Sequence, residues 1–383
     1  MRKGLFLFAD YYDATTSSRR VLKSAKTVFD EIEFMYWARL GKERVSNDEI
    51  FDNVKFKAFK KTSAPRSFGV LILFISFQYW IFKNLIKRKP NFIVAFTFFT
   101  IAPALVYKYL LNRKCKVIYD PRDYVSVSFR INRLVAFTLK LIDNIYIKLS
   151  NFVIFPDRQY FKHYGLMSLD EEKCLILPNS AEDMFETIKN IDIFTKYNIP
   201  KNKKIIPILG YFSETRGEEI IFELIKEKHE DLFFVFAGDI RDKRYLDFFD
   251  QNTDNVKYLN KIPYLDALKI MEEAILVPQL YDPQLLNNVY AFPTKYYDCL
   301  MVGTPIVVSD GQIDVAEEID KNNFGWVIDY SDTKRLREII FAYIKSPESI
   351  NRGDLRKYFL ENYDYKLFMP KLRDVYKKFS QGN

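Results

Sequence analysis

The chain is poor in the residue types that build metal centres and disulfide frameworks. It contains only two histidines, His163 and His229, and its three cysteines, Cys115, Cys174 and Cys299, lie far apart without CxxC spacing. This inventory argues against a zinc site, a Ser-His-Asp triad and a set of disulfides. We therefore predict no metal site and a reducing, cytoplasmic environment. We also expect His163 to lie at an exposed helix end.

Long uncharged runs and the common phosphate-loop signatures are also scarce. The chain passes from Met1-Arg2-Lys3 into an apolar run that stops before Asp10, which is short for a secretory signal. Two longer uncharged stretches, residues 67–82 and 90–107, are each marginal for a membrane-spanning helix, and we interpret both as buried elements. The first, followed by lysines, also fits a helix that embeds one face in a bilayer. Neither GxxxxGK[ST] nor GxGxxG occurs.

Acidic residues are scarce in the first half of the chain. Residues 1–190 carry 31 Lys and Arg against 19 Asp and Glu, a net charge of +12, whereas residues 191–383 carry 27 against 31, a net charge of −4. A positive field of this size attracts polyanions, either an anionic membrane surface or a nucleic acid. Scattered, solvated lysines without a partner are the alternative.

Short apolar strands alternate with longer helical patterns along both halves. The first series includes GLFLFA, EFMYW, NFIVAF, CKVIYD and NFVIFP, and the second includes KIIPILG, FFVFAG, ILVPQL, PIVVSD and GWVIDY. This alternation predicts two doubly wound, Rossmann-like α/β domains that face each other across a cleft. We place the boundaries at 1–185, 186–351 and 352–383, the last being a helical segment that crosses back to the N-terminal domain.

Ligands of such sheets bind beyond the carboxyl ends of the strands, and residues 292–310 (FPTKYYDCLMVGTPIVVSD) form the strongest candidate there. A helix is predicted to begin near Thr294, with Thr294 as its N-cap and a stop at Gly303. The free N–H groups of its first turn and Lys295 suit a diphosphate, and Asp298 suits a sugar or ribose hydroxyl. An ordinary capped helix without a ligand is the alternative.

A second candidate begins at Gly210, where the strand KIIPIL leads into a loop and an amphipathic helix. Arg216 in this loop is placed to bind phosphate oxygens, and Gly217 permits close approach of the backbone. Arg-Gly in a plain surface loop is the alternative.

Three charged residues follow the strand CKVIYD in the N-terminal half: Asp120, Arg122 and Asp123. A carboxylate here can orient or deprotonate an acceptor hydroxyl, and Asp13, near the first strand, is a competing candidate. A structural turn closed by an internal ion pair is the alternative.

The order of these clusters closely resembles the nucleotide-sugar domain of glycosyltransferase family 4 and its relatives. The last cluster matches the family pattern P-N-K-x-x-E-x-L-x-x-G-x-P-V-V at positions Pro293, Lys295, Asp298, Leu300, Gly303, Pro305, Ile306 and Val307. SSRRVLKSAKTV, YDPRDY and CLILPNSAEDMF resemble N-terminal family segments more loosely. The resemblance covers most of the chain and implies the GT-B fold.

The resemblance also implies roles for individual residues. Arg216 and Lys295 would stabilise the diphosphate, Asp298 would stand at the position of the family's ribose-binding glutamate, and Asn288 and Tyr290 would lie near the donor sugar. No metal and no cofactor would be required beyond a nucleotide-diphosphate sugar as donor substrate.

The sequence thus predicts a transferase rather than a nucleic-acid-binding protein, because its aromatic residues fall mainly inside apolar strands. We expect a retaining glycosyltransferase that adds sugar to a lipid-linked or polysaccharide acceptor in cell-surface glycan biosynthesis. We expect it to be peripheral on the inner face of the cell membrane, held through the basic N-terminal half. An inverting GT-B transferase and a nucleotide-sugar epimerase are the alternatives, and a nucleic-acid-binding protein is a distant one.

Overall fold

A computed structural model describes residues 2–9, 16–38, 53–62, 68–128, 131–166, 171–212, 215–240, 243–251, 254–290 and 292–380. The chain forms two compact units. The first comprises residues 1–178 and 367–383, and the second comprises residues 179–366.

The first unit contains a parallel sheet of seven strands within the described residues, in the order β3-β2-β1-β4-β5-β6-β7. Every neighbouring pair in this sheet is parallel. The order reverses at β1 and β4, so the sheet is doubly wound and its switch point lies beside these two strands. The strands are β1 (Lys3–Phe8), β2 (Glu31–Trp37), β3 (Val54–Phe59), β4 (Phe92–Phe96), β5 (Lys116–Asp120), β6 (Phe152–Phe155) and β7 (Cys174–Ile176).

Burial explains which strands the sequence revealed. All five residues of β4 are buried, as expected of a central parallel strand covered on both faces. In contrast, β3 is an edge strand whose lysines, Lys55 and Lys57, interrupt the apolar pattern, and sequence analysis did not predict it. Lysines on an edge strand discourage pairing with further chains.

The helices of the first unit pack against this sheet. Tyr376, near the C-terminal end of the chain, is fully buried and contacts the rings of Phe6, Phe29 and Phe92. This contact explains why residues 367–383 belong to the first unit. The helices are α1 (Thr16–Lys26), α2 (Phe68–Arg88), α3 (Phe98–Leu110), α4 (Arg133–Leu149), α5 (Gln159–Tyr164) and, in the C-terminal segment, α16 (Met369–Ser380).

The second unit contains two three-stranded parallel sheets, in the orders β10-β9-β8 and β11-β12-β13, within the described residues. Strands β8 and β11 lie side by side, and the N–H of Ile275 donates a hydrogen bond to the carbonyl of Ile205 at 3.1 Å. The strands are β8 (Lys204–Leu209), β9 (Leu232–Ala237), β10 (Val256–Tyr258), β11 (Val277–Gln279), β12 (Ile306–Ser309) and β13 (Gly325–Ile328).

One arginine joins three parts of the second unit. The guanidinium of Arg352 donates hydrogen bonds to the carbonyls of Gly303, Ala274 and Glu272. The helices are α6 (Phe185–Ile188), α7 (Ile193–Tyr197), α8 (Glu218–Lys226), α9 (Lys243–Gln251), α10 (Tyr264–Glu273), α11 (Leu286–Tyr290), α12 (Thr294–Val302), α13 (Ile313–Asn322), α14 (Thr333–Lys345) and α15 (Arg352–Asn362).

The structural boundaries differ from the predicted ones in the C-terminal segment. Residues 352–366 belong to the second unit, because α15 packs on α12 and Arg356 forms an ion pair with Asp183 at 2.7 Å. Only residues 367–383 return to the first unit. The sequence predicted that all of 352–383 packs on the N-terminal domain, because the segment is helical, no strand follows it, and no pattern within it marks a domain boundary.

The two uncharged stretches differ in how far they are buried. Residues 90–107 form the buried strand β4 and most of α3, as predicted. Residues 67–82 fall largely in α2, and the prediction that they are fully buried is wrong, because Ile75 and Tyr79 are 63% and 67% exposed. In the described ranges, no helix has both the length and the apolar content that crossing a membrane requires.

Candidate active site

Glycines form the ends of two adjacent strands in the second unit. Gly210 follows β8 with φ 115°, and Gly238 follows β9 with φ 147°. A Cβ on Gly238 would lie 1.7 Å from the carbonyl oxygen of Gly210, so the two backbones touch at a distance that only glycine allows. Among the residues that the structure describes, and apart from the chain neighbours of Gly210, no atom lies within 4 Å of the place where a Cβ on Gly210 would stand.

The loop that carries Arg216 is anchored to the segment after β11. Gly217 has φ 78° and packs so closely on Leu280 that a Cβ would lie 2.5 Å from the Leu280 Cβ. The carbonyl of Thr215 accepts a hydrogen bond from the N–H of Asp282 at 3.1 Å. The Arg216 guanidinium lies 4.0 Å from the centroid of the Tyr281 ring, and within the described part of the chain it forms no ion pair. The Tyr281 ring therefore holds the Arg216 guanidinium in place, and no carboxylate of a described residue neutralises its charge.

Asn288 holds this loop rather than projecting from it. Its side chain is buried, and its amide nitrogen donates to the carbonyls of Thr215 at 3.4 Å and Asp282 at 3.0 Å. Tyr290, at the end of α11, is half-buried. Asn288, which the family resemblance places near the donor sugar, thus joins the Arg216 loop to the segment after β11.

The first turns of α8 and α12 differ in charge. Glu218 and Glu219 occupy the first turn of α8, where carboxylates already satisfy the positive end of the helix dipole. The first turn of α12 has no acidic residue and contains Lys295. Of these two helix starts, only that of α12 therefore offers uncompensated positive charge to an anion.

The start of α12 differs in one detail from its prediction. Pro293, with φ −72° and ψ 146°, is the N-cap, and Thr294 is the first helical residue. The fixed φ of proline suits the extended conformation of a cap residue, so the predicted N-cap at Thr294 is wrong by one position. The Thr294 hydroxyl accepts a hydrogen bond from the side-chain nitrogen of Asn179 at 3.2 Å. Lys295 is half-buried and forms no ion pair with any described residue.

Asp298 is held in place by a tyrosine. Its carboxylate is buried and accepts a hydrogen bond from the Tyr264 hydroxyl at 2.6 Å. A carboxylate has about four acceptor positions, and the Tyr264 hydroxyl fills one of them. No hydrogen bond or ion pair between described residues joins Arg216 to Lys295 or Asp298. The Arg216 loop is instead held by Asn288, which bonds the Thr215 carbonyl, and by Tyr281 and Asp282 after β11.

In the first unit, Asp120 and Arg122 come together at the switch point of the sheet. Asp120 ends β5 and is buried, and its Oδ2 lies 3.5 Å from the Nε of Arg122. The Arg122 guanidinium lies over the rings of Phe96 at 4.5 Å and Phe8 at 5.6 Å. Phe8 and Phe96 end β1 and β4, so Arg122 covers the place where the strand order reverses.

The environment of Asp120 favours its protonated form. Burial raises the pKa of its carboxyl to about 6, against the opposing effect of the Arg122 charge. A pKa near neutrality suits a group that exchanges protons at physiological pH. Burial raises the pKa of Asp123 as well, but of the two acids Asp120 is the one that is buried and contacts Arg122.

The other two predicted acids are placed differently. Asp123 has an exposed side chain, and its backbone carbonyl accepts a hydrogen bond from the Tyr160 hydroxyl at 2.8 Å. Asp13 lies outside the described residues.

Thr97 lies beside Asp120 and was not singled out from the sequence. It caps α3 with φ 66° and ψ 158°, a conformation that is almost restricted to glycine. Its N–H donates to the carbonyl of Asp120 at 2.8 Å, and its hydroxyl oxygen is buried without a hydrogen-bond partner among the described residues. Arg122 also has a positive φ, 62°. Such strain, next to an ionisable carboxyl, is typical of functional sites.

Behind this cluster lies a buried polar network that the sequence did not reveal. Asp143 accepts hydrogen bonds from the hydroxyls of Tyr119 at 2.6 Å and Tyr160 at 3.4 Å, and burial raises its pKa to about 6. His163 is half-buried, with Nε2 2.9 Å from the Ser126 hydroxyl, and burial lowers its pKa to about 4. The predicted exposed position of His163 is therefore wrong, because α5 packs this ring against the network.

Among the described residues, no group of three or more His, Cys, Asp or Glu side chains is arranged to hold a metal ion.

Comparisons with known proteins agree with this architecture. Residues 189–362 match the family described as glycosyl transferases group 1. No curated protein matches the chain in sequence.

Solved structures resemble the whole chain. A glycosyltransferase from Rickettsia africae ESF-5 is 13% identical, with 100% of each chain covered and a TM-score of 0.70. Anabaena Alr3699/HepE in complex with UDP is 12% identical, with 98% of this chain and 100% of that chain covered and a TM-score of 0.71. WaaG, a glycosyltransferase involved in lipopolysaccharide biosynthesis, is 13% identical, with 97% and 99% covered and a TM-score of 0.65. The chain therefore has the GT-B fold, and its residues 189–362 match glycosyl transferases group 1, in agreement with the resemblance that the sequence predicted.

Proposed function

We propose that this protein transfers a sugar from a nucleotide-diphosphate sugar, bound by the second unit, to a lipid-linked or polysaccharide acceptor in cell-surface glycan biosynthesis. The observation that carries the proposal is the charge pattern around α12. The first turn of that helix holds Lys295 and no acid, and the anchored Arg216 loop supplies a second cation without a carboxylate partner among the described residues. HepE, which is similar in fold, is a complex with UDP, and this supports a nucleotide diphosphate as the ligand.

These groups suit the departure of a nucleoside diphosphate. The leaving group gains negative charge as the bond to the sugar breaks, and fixed cations with the positive end of a helix stabilise that charge. Arg216 and Lys295 would bind the diphosphate, and Asp298 would accept hydrogen bonds from the ribose. The proposed mechanism needs no metal and no further cofactor. Retention of anomeric configuration follows from the family resemblance.

The acceptor would be held by the first unit. Asp120 lies at the switch point of the sheet, where open α/β sheets bind ligands, and its pKa of about 6 allows it to orient an acceptor hydroxyl and take its proton. The strained Thr97 beside it holds a buried hydroxyl that a ligand can satisfy.

We further propose that the protein is cytoplasmic and peripheral on the inner face of the cell membrane. The net charge of +12 on residues 1–190 supports this placement, because anionic lipids attract clustered Lys and Arg.

A thermal-shift series with UDP, GDP, ADP, TDP and CMP tests the donor proposal. We expect one nucleoside diphosphate to raise the melting temperature of the intact chain, because a ligand stabilises the state that it binds. Arg216→Ala is expected to weaken that shift strongly, whereas Lys226→Ala, in the last turn of the neighbouring α8, leaves it unchanged. Equal shifts for both variants, or no shift with any nucleotide, would contradict the proposal.

Product analysis separates the alternatives. An inverting transferase gives the opposite anomer, and an epimerase turns over the nucleotide sugar without an acceptor. Salt-sensitive RNA binding without sugar transfer would indicate the nucleic-acid-binding alternative.

A further inference from the structure

Three neighbouring helices of the first unit carry a continuous set of exposed apolar side chains. α3 lies between α2 and α4: the ring of Phe99 packs edge-to-face on Phe74 of α2 with centroids 5.7 Å apart, and the ring of Phe98 lies 5.3 Å from that of Tyr146 in α4. The Tyr109 hydroxyl donates to the Leu149 carbonyl at 3.0 Å, which joins the C-terminal ends of α3 and α4. The three helices thus form one layer.

The outer side of this layer is unusually apolar. On α2, Ile75 and Tyr79 are 63% and 67% exposed; at the end of α3, Leu110 is 75% exposed; and on α4, Leu134 and Phe137 are 76% and 59% exposed. Of the 17 residues of α4, only Asp143 and Ile147 are buried. Leu134, Phe137, Leu141 and Ile145 recur at helical spacing, so they form a stripe along one side of α4. We call the outer side of α2, α3 and α4 the three-helix face.

The net charge of this part of the chain is strongly positive. Residues 68–149 contain thirteen Lys and Arg and three Asp, a net charge of +10, which exceeds the +8 of the whole chain. The three helices carry one carboxylate, Asp143, and it is fully buried. Lys83, Lys87, Arg133 and Lys148 are exposed: Lys87 lies in the last turn of α2 and Lys83 about one turn before it, whereas Arg133 begins α4 and Lys148 lies in its last turn. Long cationic side chains at helix ends can reach lipid headgroups while the apolar side chains between them enter the acyl region.

We infer that the three-helix face docks onto an anionic lipid bilayer, with the axes of α2, α3 and α4 near the headgroup level. Large exposed apolar patches mark interaction sites, and basic residues at the rim, with no exposed carboxylate on the helices, match a negatively charged membrane surface rather than a typical protein partner. This inference deepens the proposed function by giving the membrane contact a specific surface. It also makes the contact expected from the sequence more specific. That expectation named the basic N-terminal half, with residues 67–82 as a helix that can embed one face, and the structure adds the exposed stripe of α4.

Flotation of the intact chain with lipid vesicles tests the inference. We expect binding to phosphatidylcholine vesicles that contain phosphatidylglycerol, and much weaker binding to phosphatidylcholine alone. The double substitution Phe137→Glu with Leu141→Glu is expected to reduce binding about tenfold or more, because it places two charges in the middle of the apolar stripe. The matched control, Leu246→Glu with Leu360→Glu, changes two exposed leucines of α9 and α15 in the second unit and should leave binding unchanged.

A second measurement covers the case in which the charged variant does not fold. Phe137→Trp should show a blue-shifted emission difference spectrum and quenching by brominated lipid when anionic vesicles are added, whereas Leu246→Trp should show neither. Equal vesicle binding by the two double variants, or no spectral change in Phe137→Trp, would overturn the inference. Light scattering without vesicles gives a further decisive result: a dimer that Phe137→Glu with Leu141→Glu converts to a monomer, with no vesicle binding by the wild type, would show that a second copy covers the face.

The outcome is separable from that of the proposed function. The nucleotide thermal shift depends on residues of the second unit, so Phe137→Glu with Leu141→Glu should retain it. A chain that floats with vesicles but shifts with no nucleotide would refute the donor proposal and leave the three-helix face intact.

Discussion

In the second unit the turns after β8 and β9 are made by Gly210 and Gly238, whereas in the first unit the turns after β4 and β5 contain Thr97 and Arg122. All four residues have positive φ. Glycine adopts this conformation without steric cost, but Thr97 and Arg122 do not, and the surrounding structure must hold them there. The second unit thus brings backbone close to backbone at its strand ends, and the first unit places strained side chains at its strand ends.

The largest expected effect tests the side-chain chemistry of the first unit. Asp120→Asn removes the carboxylate that would accept the acceptor proton, and we expect sugar transfer to fall by about 10³-fold. In the wild type, transfer should decline as pH falls through about 6, because the Asp120 carboxyl becomes protonated in that range and a protonated carboxyl cannot accept the proton. The variant should lack this acidic limb. The measurement is the pH dependence of kcat.

Asp123→Asn is the matched control for this prediction. Asp123 is three positions further on and exposed, so its substitution should leave the maximal rate nearly unchanged. The acidic limb should persist and move to slightly lower pH, because the Asp123 charge raises the pKa of Asp120. An acidic limb that persists in Asp120→Asn would assign the titration to another group.

The next effect tests the backbone contact of the second unit. In Gly238→Ala, the new Cβ would lie 1.7 Å from the Gly210 carbonyl oxygen, and the two strand ends must separate. We expect a loss of about 3 kcal/mol or more in the free energy of unfolding, measured by urea denaturation. Gly165→Ala, in the first unit, is the control: Gly165 has φ 68°, and no atom of a described residue lies within 4 Å of where its Cβ would stand, so we expect only the conformational cost of about 1–2 kcal/mol. Equal losses of unfolding free energy in the two variants would mean that the close contact between Gly238 and Gly210 adds nothing to the conformational cost.

A third prediction separates donor binding from acceptor binding. Lys295→Ala should lower kcat/KM for the donor about 10²-fold, because it removes a full charge from the first turn of α12. Lys321→Ala, in the last turn of α13 of the same unit, should have no effect. Arg122→Ala in the first unit should instead raise the KM for the acceptor and leave nucleotide binding unchanged. Loss of nucleotide binding in Arg122→Ala would contradict this division of roles.

The same contrast explains what the sequence could predict. Most strands were recognisable from their apolar runs. The Arg216 loop and the end of α12 were recognisable because Gly217 and Gly303 occur where only glycine fits: a Cβ on Gly303 would lie 2.6 Å from the Arg352 carbonyl oxygen. Thr97 could not be found in this way, because a threonine after an apolar strand gives no sign of a positive φ. The clamp made by Asn288 and the network around Asp143 depend on partners far away in the chain, so no local pattern indicates them. Edge strand β3 was missed because its lysines break the apolar alternation.

The smallest expected effect tests whether the strain at Thr97 serves function. Thr97→Gly relieves a conformation that is nearly restricted to glycine, and we expect the free energy of unfolding to rise by about 1 kcal/mol after the added flexibility of the unfolded chain is subtracted. Sugar transfer should fall at the same time, because the buried hydroxyl beside Asp120 is lost. Lys89→Gly is the control, since Lys89 has φ 50° directly after α2 and precedes the first residue of β4, whereas Asp120 is the last residue of the parallel strand β5; it should change stability by a similar amount with no loss of activity. Thr97→Ser keeps the hydroxyl and should keep the activity, so full activity in Thr97→Gly would show that the strain only serves the turn into α3.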